Sequence, residues 1–242
     1  MIGTILAAAA LVTLPELKPD RENYPIEAIK RGDSAAALIE LVIDPQGNFV
    51  DCKTLAVFGA ERLADDICGL QKRQEFQAAT ASSGAPTFGV LRVLVKYTMG
   101  FTDGGRTIAA LQSPGYTAEI SGFRTRTTSR IPAWSEFLAS VGPAKYVAHP
   151  DLLLEVPSLP GVAGSQVHQS VVVEVGEDGR IASCIADRKF DETGARIAYA
   201  EAACRELGES LLDPLVIEGR SVAHVRRVEV RFLLKSADAA TD

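Results

Sequence analysis

Val42-Ile43-Asp44-Pro45-Gln46-Gly47-Asn48-Phe49-Val50-Asp51-Cys52 is answered further along the chain by Val173-Glu174-Val175-Gly176-Glu177-Asp178-Gly179-Arg180-Ile181-Ala182-Ser183-Cys184. In each stretch an apolar run ends in a turn, and a cysteine follows the turn glycine by five residues. Asp44-Pro45-Gln46-Gly47 puts proline at the second turn position and glycine where positive φ is wanted; Asp178-Gly179 is a common hairpin pair. Before the turns, Ala37, Ile39, Leu41 and Ile43 share one side of a strand, as do Val171, Val173 and Val175. Both stretches therefore read as β-hairpins.

The correspondence extends outward. Cys68 precedes Phe76 by eight residues and Cys204 precedes Leu212 by eight, while Gly84 and Gly219 each stand thirteen residues before an aromatic, Tyr97 or Phe232. Between the landmarks, Leu63, Ile67 and Leu70 form a helical apolar stripe, and Ile197, Ala200, Cys204 and Leu207 form a looser one. The closing strands put Val93, Val95 and Tyr97, or Val228, Val230 and Phe232, on one face. Arg92 and Lys96, or Arg227 and Arg231, fall on the other, which this pattern marks as wet. The fold expected is α+β: two copies of a β-β-α-β unit, each a small antiparallel sheet covered by a helix, joined by a loop-rich connector. The boundaries read as a signal-peptide-like segment over 1–19, a first unit over 20–99 and a connector with a short helix over 100–144. A second, more divergent unit covers 145–236, with a tail over 237–242.

Residues Ile2 to Leu14 are apolar and too few to span a bilayer; they resemble a signal-peptide core, with Ala8 and Ala10 as the small residues of a cleavage site, although no basic residue precedes Ile2. The competing reading is a first buried element of the fold. If the chain is exported, four cysteines at matched places imply one bridge per copy, Cys52 with Cys68 and Cys184 with Cys204. In a reducing compartment they would be buried apolar thiols. No C-x-x-C pattern or neighbouring histidine points to metal or redox chemistry.

Tyr24-Pro25-Ile26-Glu27-Ala28, Val42-x-Asp44-x-x-Gly47-x-x-Val50, Phe76-Gln77-Ala78, Gly84-Ala85-Pro86 and a last strand ending at Tyr97 together resemble the TonB C-terminal domain. The likeness covers Tyr24 to about Thr98. The second copy keeps the hairpin glycine, cysteines, post-helix segment and last strand, but has Leu212-Asp213-Pro214 where the family favours an aromatic followed by proline and alanine. Energy transducers of this family carry a membrane helix and a proline-rich spacer, neither of which is recognisable here. The resemblance thus implies a periplasmic, non-enzymatic binding module without cofactor or metal. Its implied partners are envelope proteins, with peptides of TonB-dependent outer-membrane receptors foremost, taken by strand addition; a homodimer is a further expectation. The expected edge comprises Val90, Arg92, Leu94 and Lys96 in the first copy and Arg227, Glu229 and Arg231 in the second. Basic residues there serve either to attract an acidic peptide or to guard the edge against aggregation.

A net charge of -6 gives no general attraction to nucleic acid or anionic membranes. Arg124, Arg126 and Arg130, set among threonines and serines, read as a solvated loop, and Ile131 to Val141, with Trp134, Phe137 and Leu138, as a short packed helix. His149, His168 and His224 are scattered, Ser165 near His168 makes no triad, and no catalytic motif appears. The alternatives to a binding module are a structural or sensor protein that reuses the fold and, less favoured, a hydrolase without a recognisable motif.

Overall fold

A computed structural model describes residues 12–18, 25–31, 33–101, 117–124, 150–187 and 194–235. In chain order these form β1 (Glu16–Lys18), α1 (Ile26–Arg31), β2 (Ala35–Ile43), β3 (Phe49–Gly59), α2 (Glu61–Gln71), β4 (Glu75–Gln77), β5 (Ala79–Thr80), β6 (Pro86–Phe101) and β7 (Thr117–Arg124). They continue with β8 (Leu152–Val156), β9 (Gln166–Val175), β10 (Ile181–Ala186), α3 (Gly194–Gly208), β11 (Leu215–Ile217), β12 (Arg220–Val222) and β13 (His224–Leu234).

The two hairpins form, and both turns are built on an aspartate. The Asp44 carboxylate accepts the Gln46 and Asn48 backbone N–H groups at 2.8 Å each, and Asp178 accepts that of Arg180 at 3.0 Å. Burial works against ionisation of Asp44, but the Asn48 side chain and the turn amides outweigh it and hold the carboxyl below its usual range. Gly47 and Gly179 have φ of 83° and 81°, and a Cβ on either would run into a carbonyl, that of Phe76 or of Leu212. Phe76 and Leu212 are thus structural counterparts. Each hairpin also bulges at a matched residue, Val50 or Ala182, which the partner strand skips.

Two separate helix-covered sheets do not form. Nine strands make one continuous mixed sheet, with β10-β9-β13-β6-β2-β3 as its main path; β5 and β7 are paired to β6, and β8 to β13. The last strands of the two repeats join one another in parallel, His224 beside Phe88, Val225 beside Gly89 and Arg226 beside Val90. They then diverge. β7 takes over the vacated side of β6 from Leu94 onward, and β8 that of β13 from Val230 onward, both in parallel. The physical reason is edge satisfaction: a strand left half-paired in each repeat finds its donors and acceptors in the other.

The parallel register places even-numbered residues of β6 and β13 on one face. Odd residues Leu91, Val93, Val95 and Tyr97 join Leu63, Ala64 and Ile67 of α2 in one core, whereas even residues Val228, Val230 and Phe232 join Tyr199, Ala200, Ala203 and Leu207 of α3 in another. The helices therefore cover opposite faces of the sheet. Ile197, expected in the α3 stripe, is exposed.

The reverse faces are not wet, contrary to the alternation pattern. Ala36, Leu38 and Leu94 form a third buried group, and Val12, Leu14, Ala79, Val172 and Val225 a fourth. This last group mixes both repeats. It also fixes Val12 to Lys18 within the fold: Thr13 bridges Thr80, and β1 pairs with β4. Val12 and Leu14, which end the apolar leader, are thus buried within the fold. The expected helix over 131–141, Arg126 and Arg130, and the 102–116 and 125–149 portions of the connector region lie outside the described residues. Arg124 ends β7, and the start of the second unit, expected from 145, contributes β8.

Candidate functional site

The residues expected to form a free edge lie inside the sheet. Val90 sits between Val42 and Arg226, Leu94 between Leu38 and Thr117, and Lys96 between Ala36 and Glu119. Arg227 and Glu229 are paired with Val172 and Ser170, and Arg231 stands between His168 and Leu153. An incoming strand has no open ladder along either segment, because each repeat's last strand is covered by the other repeat and by β7 or β8. The Lys96 side chain lies outside what the structure describes.

What occupies the fork between β6 and β13 is a charged junction. Asp151, just before β8, donates its N–H to the Glu229 carbonyl and accepts the Glu229 N–H on its carboxylate, both at 2.8 Å. Its carboxylate also takes both terminal nitrogens of Arg92, at 3.0 and 3.2 Å, a bidentate pairing. Glu40 lies 3.2 Å from Arg92 and 3.8 Å from Arg226, and Arg226 lies 3.5 Å from Asp151. Arg92 is mostly buried. Burial alone would lower its pKa, but Asp151 and Glu40 raise it above the ordinary arginine value. On the opposite face, Arg227 pairs with Asp187 and lies 3.9 Å from Glu229; all three are buried.

Two neighbouring groups are displaced from ordinary titration. Glu229 is pushed up to about 7, chiefly by burial and further by Asp151 and Asp187, against the pull of Arg227 and Arg92. His224, fully enclosed at the start of β13, is pushed down to about 4 by burial and by Arg226, against the Val222 carbonyl and Glu40. These charges hold strands together and do not converge on a cleft. Among the described residues, no cluster of three or more His, Cys, Asp or Glu side chains is placed to hold a metal ion.

The open edges are elsewhere. Among the described residues, β3 pairs only with β2 and β10 only with β9, so the two form the outer borders of the sheet. β3 is the longer, with eleven residues against six. Val50, Asp51, Lys53, Thr54 and Val57 are exposed along it. At its start lies a groove of about 690 Å³ between the β2–β3 turn and the segment after α2, lined by Gln46 to Val50, Lys72 and Gln74 to Phe76. Phe49, half-buried, supplies apolar wall, the Phe76 ring itself being buried in the first core; Lys72 and Glu75 supply charge of both signs.

Disulfides fix both borders to the helices behind them: Cys52–Cys68 ties β3 to α2 and Cys184–Cys204 ties β10 to α3, with Cα separations of 5.7 and 5.6 Å. No cysteine is free. The bridges suit an oxidising compartment. No helix among the described residues is long and apolar enough to cross a membrane. The β3 edge was not among the sequence candidates, because alternation shows which face of a strand is apolar and says nothing about which strand is outermost. Comparison with protein-family models, curated proteins and solved structures finds no match.

Proposed function

We propose that this chain is a non-enzymatic binding module of the bacterial periplasm that takes extended peptides of envelope proteins by adding them to the β3 edge. The observation that carries the reading is the eleven-residue β3 border with a groove of about 690 Å³ at its start. An added strand would gain affinity from main-chain hydrogen bonds along β3, and selectivity from a side chain entering the groove beside Phe49, between Lys72 and Glu75. The resemblance to TonB C-terminal domains makes receptor peptides the first partners to try.

Hydrogen exchange on the intact protein, with and without synthetic peptides spanning the plug-side motif of outer-membrane receptors, tests this. Alternate amides of Phe49 to Gly59 that point outward are expected to slow on binding, while the inward set, already bonded to β2, stays unchanged. Absence of protection along β3 at saturating peptide would remove the proposal. A structural role without partners is the second reading, favoured by Lys53 and by bulges in β3 at Val50 and at Leu55, devices that discourage edge pairing.

A further inference from the structure

The first repeat already holds an added strand. Residues Thr13 to Lys18 lie extended along β4 and β5: Thr13 exchanges both main-chain hydrogen bonds with Thr80, each 3.0 Å, and Glu16, Leu17 and Lys18 are registered opposite Gln77, Phe76 and Glu75. The matched glycine contacts equate Phe76 with Leu212, and the hairpin registers equate Thr80 with Val216, since Thr80 pairs with Pro86 as Val216 pairs with Ser221. The same edge in the second repeat therefore runs from Leu211 to Ile217. Among the described residues nothing pairs with its outer side.

Its donors and acceptors face the right way. Glu218 and Gly219, with φ of 50° and 79°, make a two-residue hairpin loop, so the closing pair Ile217 and Arg220 is hydrogen-bonded and Val216 turns its N–H and C=O outward, as Thr80 does. The Leu212 N–H is taken by the Gly179 carbonyl at 3.0 Å, which leaves the main-chain groups of Leu211 pointing away from that hairpin. Pro214, which lacks an N–H, corresponds to Ala78, a position the first repeat's added strand does not pair with. The proline therefore obstructs nothing.

Host residue types indicate the guest. In the first repeat threonine stands opposite threonine at position 80, and lysine is registered opposite glutamate at position 75. Their counterparts in the second repeat are Val216 and Leu211, which are 56% and 69% exposed and rank among the most exposed large apolar side chains described. We infer that Leu211–Ile217 is a second strand-addition slot, separate from β3, for an extended peptide with apolar residues five positions apart, one opposite Val216 and one opposite Leu211.

The probe is a fluorescein-labelled peptide patterned on residues 12–18 with valine in place of Thr13 and of Lys18, and its controls carry the native residues or aspartate at those positions. With the full chain, saturable anisotropy is expected for the valine peptide. Its affinity should fall at least tenfold with Val216→Lys or Leu211→Lys, both at exposed sites that leave the fold intact, and at least tenfold with the aspartate peptide. Hydrogen exchange should show protection of the Val216 amide. No saturable binding, binding indifferent to both lysine substitutions, or protection at Thr80 or along β3 without any at Val216 would overturn the slot. Protection confined to β3 would do so while leaving the β3 proposal standing.

Discussion

Asp151 carries more of the structure than its place in an irregular lead-in would suggest. Its main chain and carboxylate stand in for a missing ladder pair beside Glu229, and the same carboxylate neutralises Arg92 and Arg226 at the fork. Replacing it with alanine leaves buried guanidinium charge and a buried N–H without that acceptor, so Asp151→Ala should cost about 3–5 kcal/mol, read as a lower denaturant midpoint. Asp151→Asn keeps one acceptor oxygen and should cost less. Titration behaviour follows from the same crowding. The folded-state pKa of Glu229, about 7, lies above its ordinary 4.5, so its contribution to stability is complete below 4.5 and is lost as pH rises through 7. His224, depressed to about 4, contributes above 6.5 and loses its contribution as pH falls through 4. Glu229→Gln should therefore gain stability relative to the parent at pH 8 and show little difference near pH 4, as followed by thermal melts across that range. Neither shift was legible in sequence, where Glu229 read as part of a peptide-binding edge and His224 as one of three scattered histidines; the charged neighbours of both, Arg92 and Asp151 for Glu229 and Glu40 and Arg226 for His224, come together only in the folded sheet.

At the scale of elements, the hairpins were readable because turn chemistry is local: Asp44, Gly47, Asp178 and Gly179 specify their own neighbourhood. The disulfides were readable because the spacing repeats. Each bridge should contribute about 3 kcal/mol by restricting the unfolded chain, so changing Cys184 and Cys204 together to serine should lower the melting temperature by several degrees, and the native protein should offer no thiol to alkylation without reductant. The N-terminal strand was obscured because an apolar run such as Leu11 to Leu14 looks alike in a leader and in a core. Its place is secured by Gly89, where any Cβ would overlap the Pro15 ring and approach the Ala79 methyl to 2.8 Å. Gly89→Ala should force Val12 to Lys18 off the sheet, at a cost of about 1–3 kcal/mol, with faster hydrogen exchange at Thr13 and Thr80 as the direct measure. Unchanged exchange at both would mean that the strand does not depend on the close approach.

The duplication reads easily from sequence at the level of each copy, and misleads at the level of the molecule. Periodicity fixes the faces of β6 and β13, but partnership across strands depends on which edges remain unsatisfied once each hairpin and helix has formed. Here the parallel contact of Phe88–Val90 with His224–Arg226 fuses the sheets, and α2 and α3 fall on opposite faces as a result. The two copies thus run their last strands in the same direction while burying opposite faces of the sheet. Two further bonds cross the same boundary: the shared apolar group of Val12, Leu14, Ala79, Val172 and Val225, and the Glu40, Arg92, Asp151 and Arg226 charges. The shared group buries residues of both copies together, so the chain should unfold as one unit. Calorimetry is expected to give a single transition whose calorimetric and van't Hoff enthalpies agree, and Val225→Asp, which places a charge in the shared apolar group, should lower that one transition without splitting it. Two resolved transitions, with only the second copy's disulfide affecting one of them, would mean that the parallel junction is too weak to couple the halves.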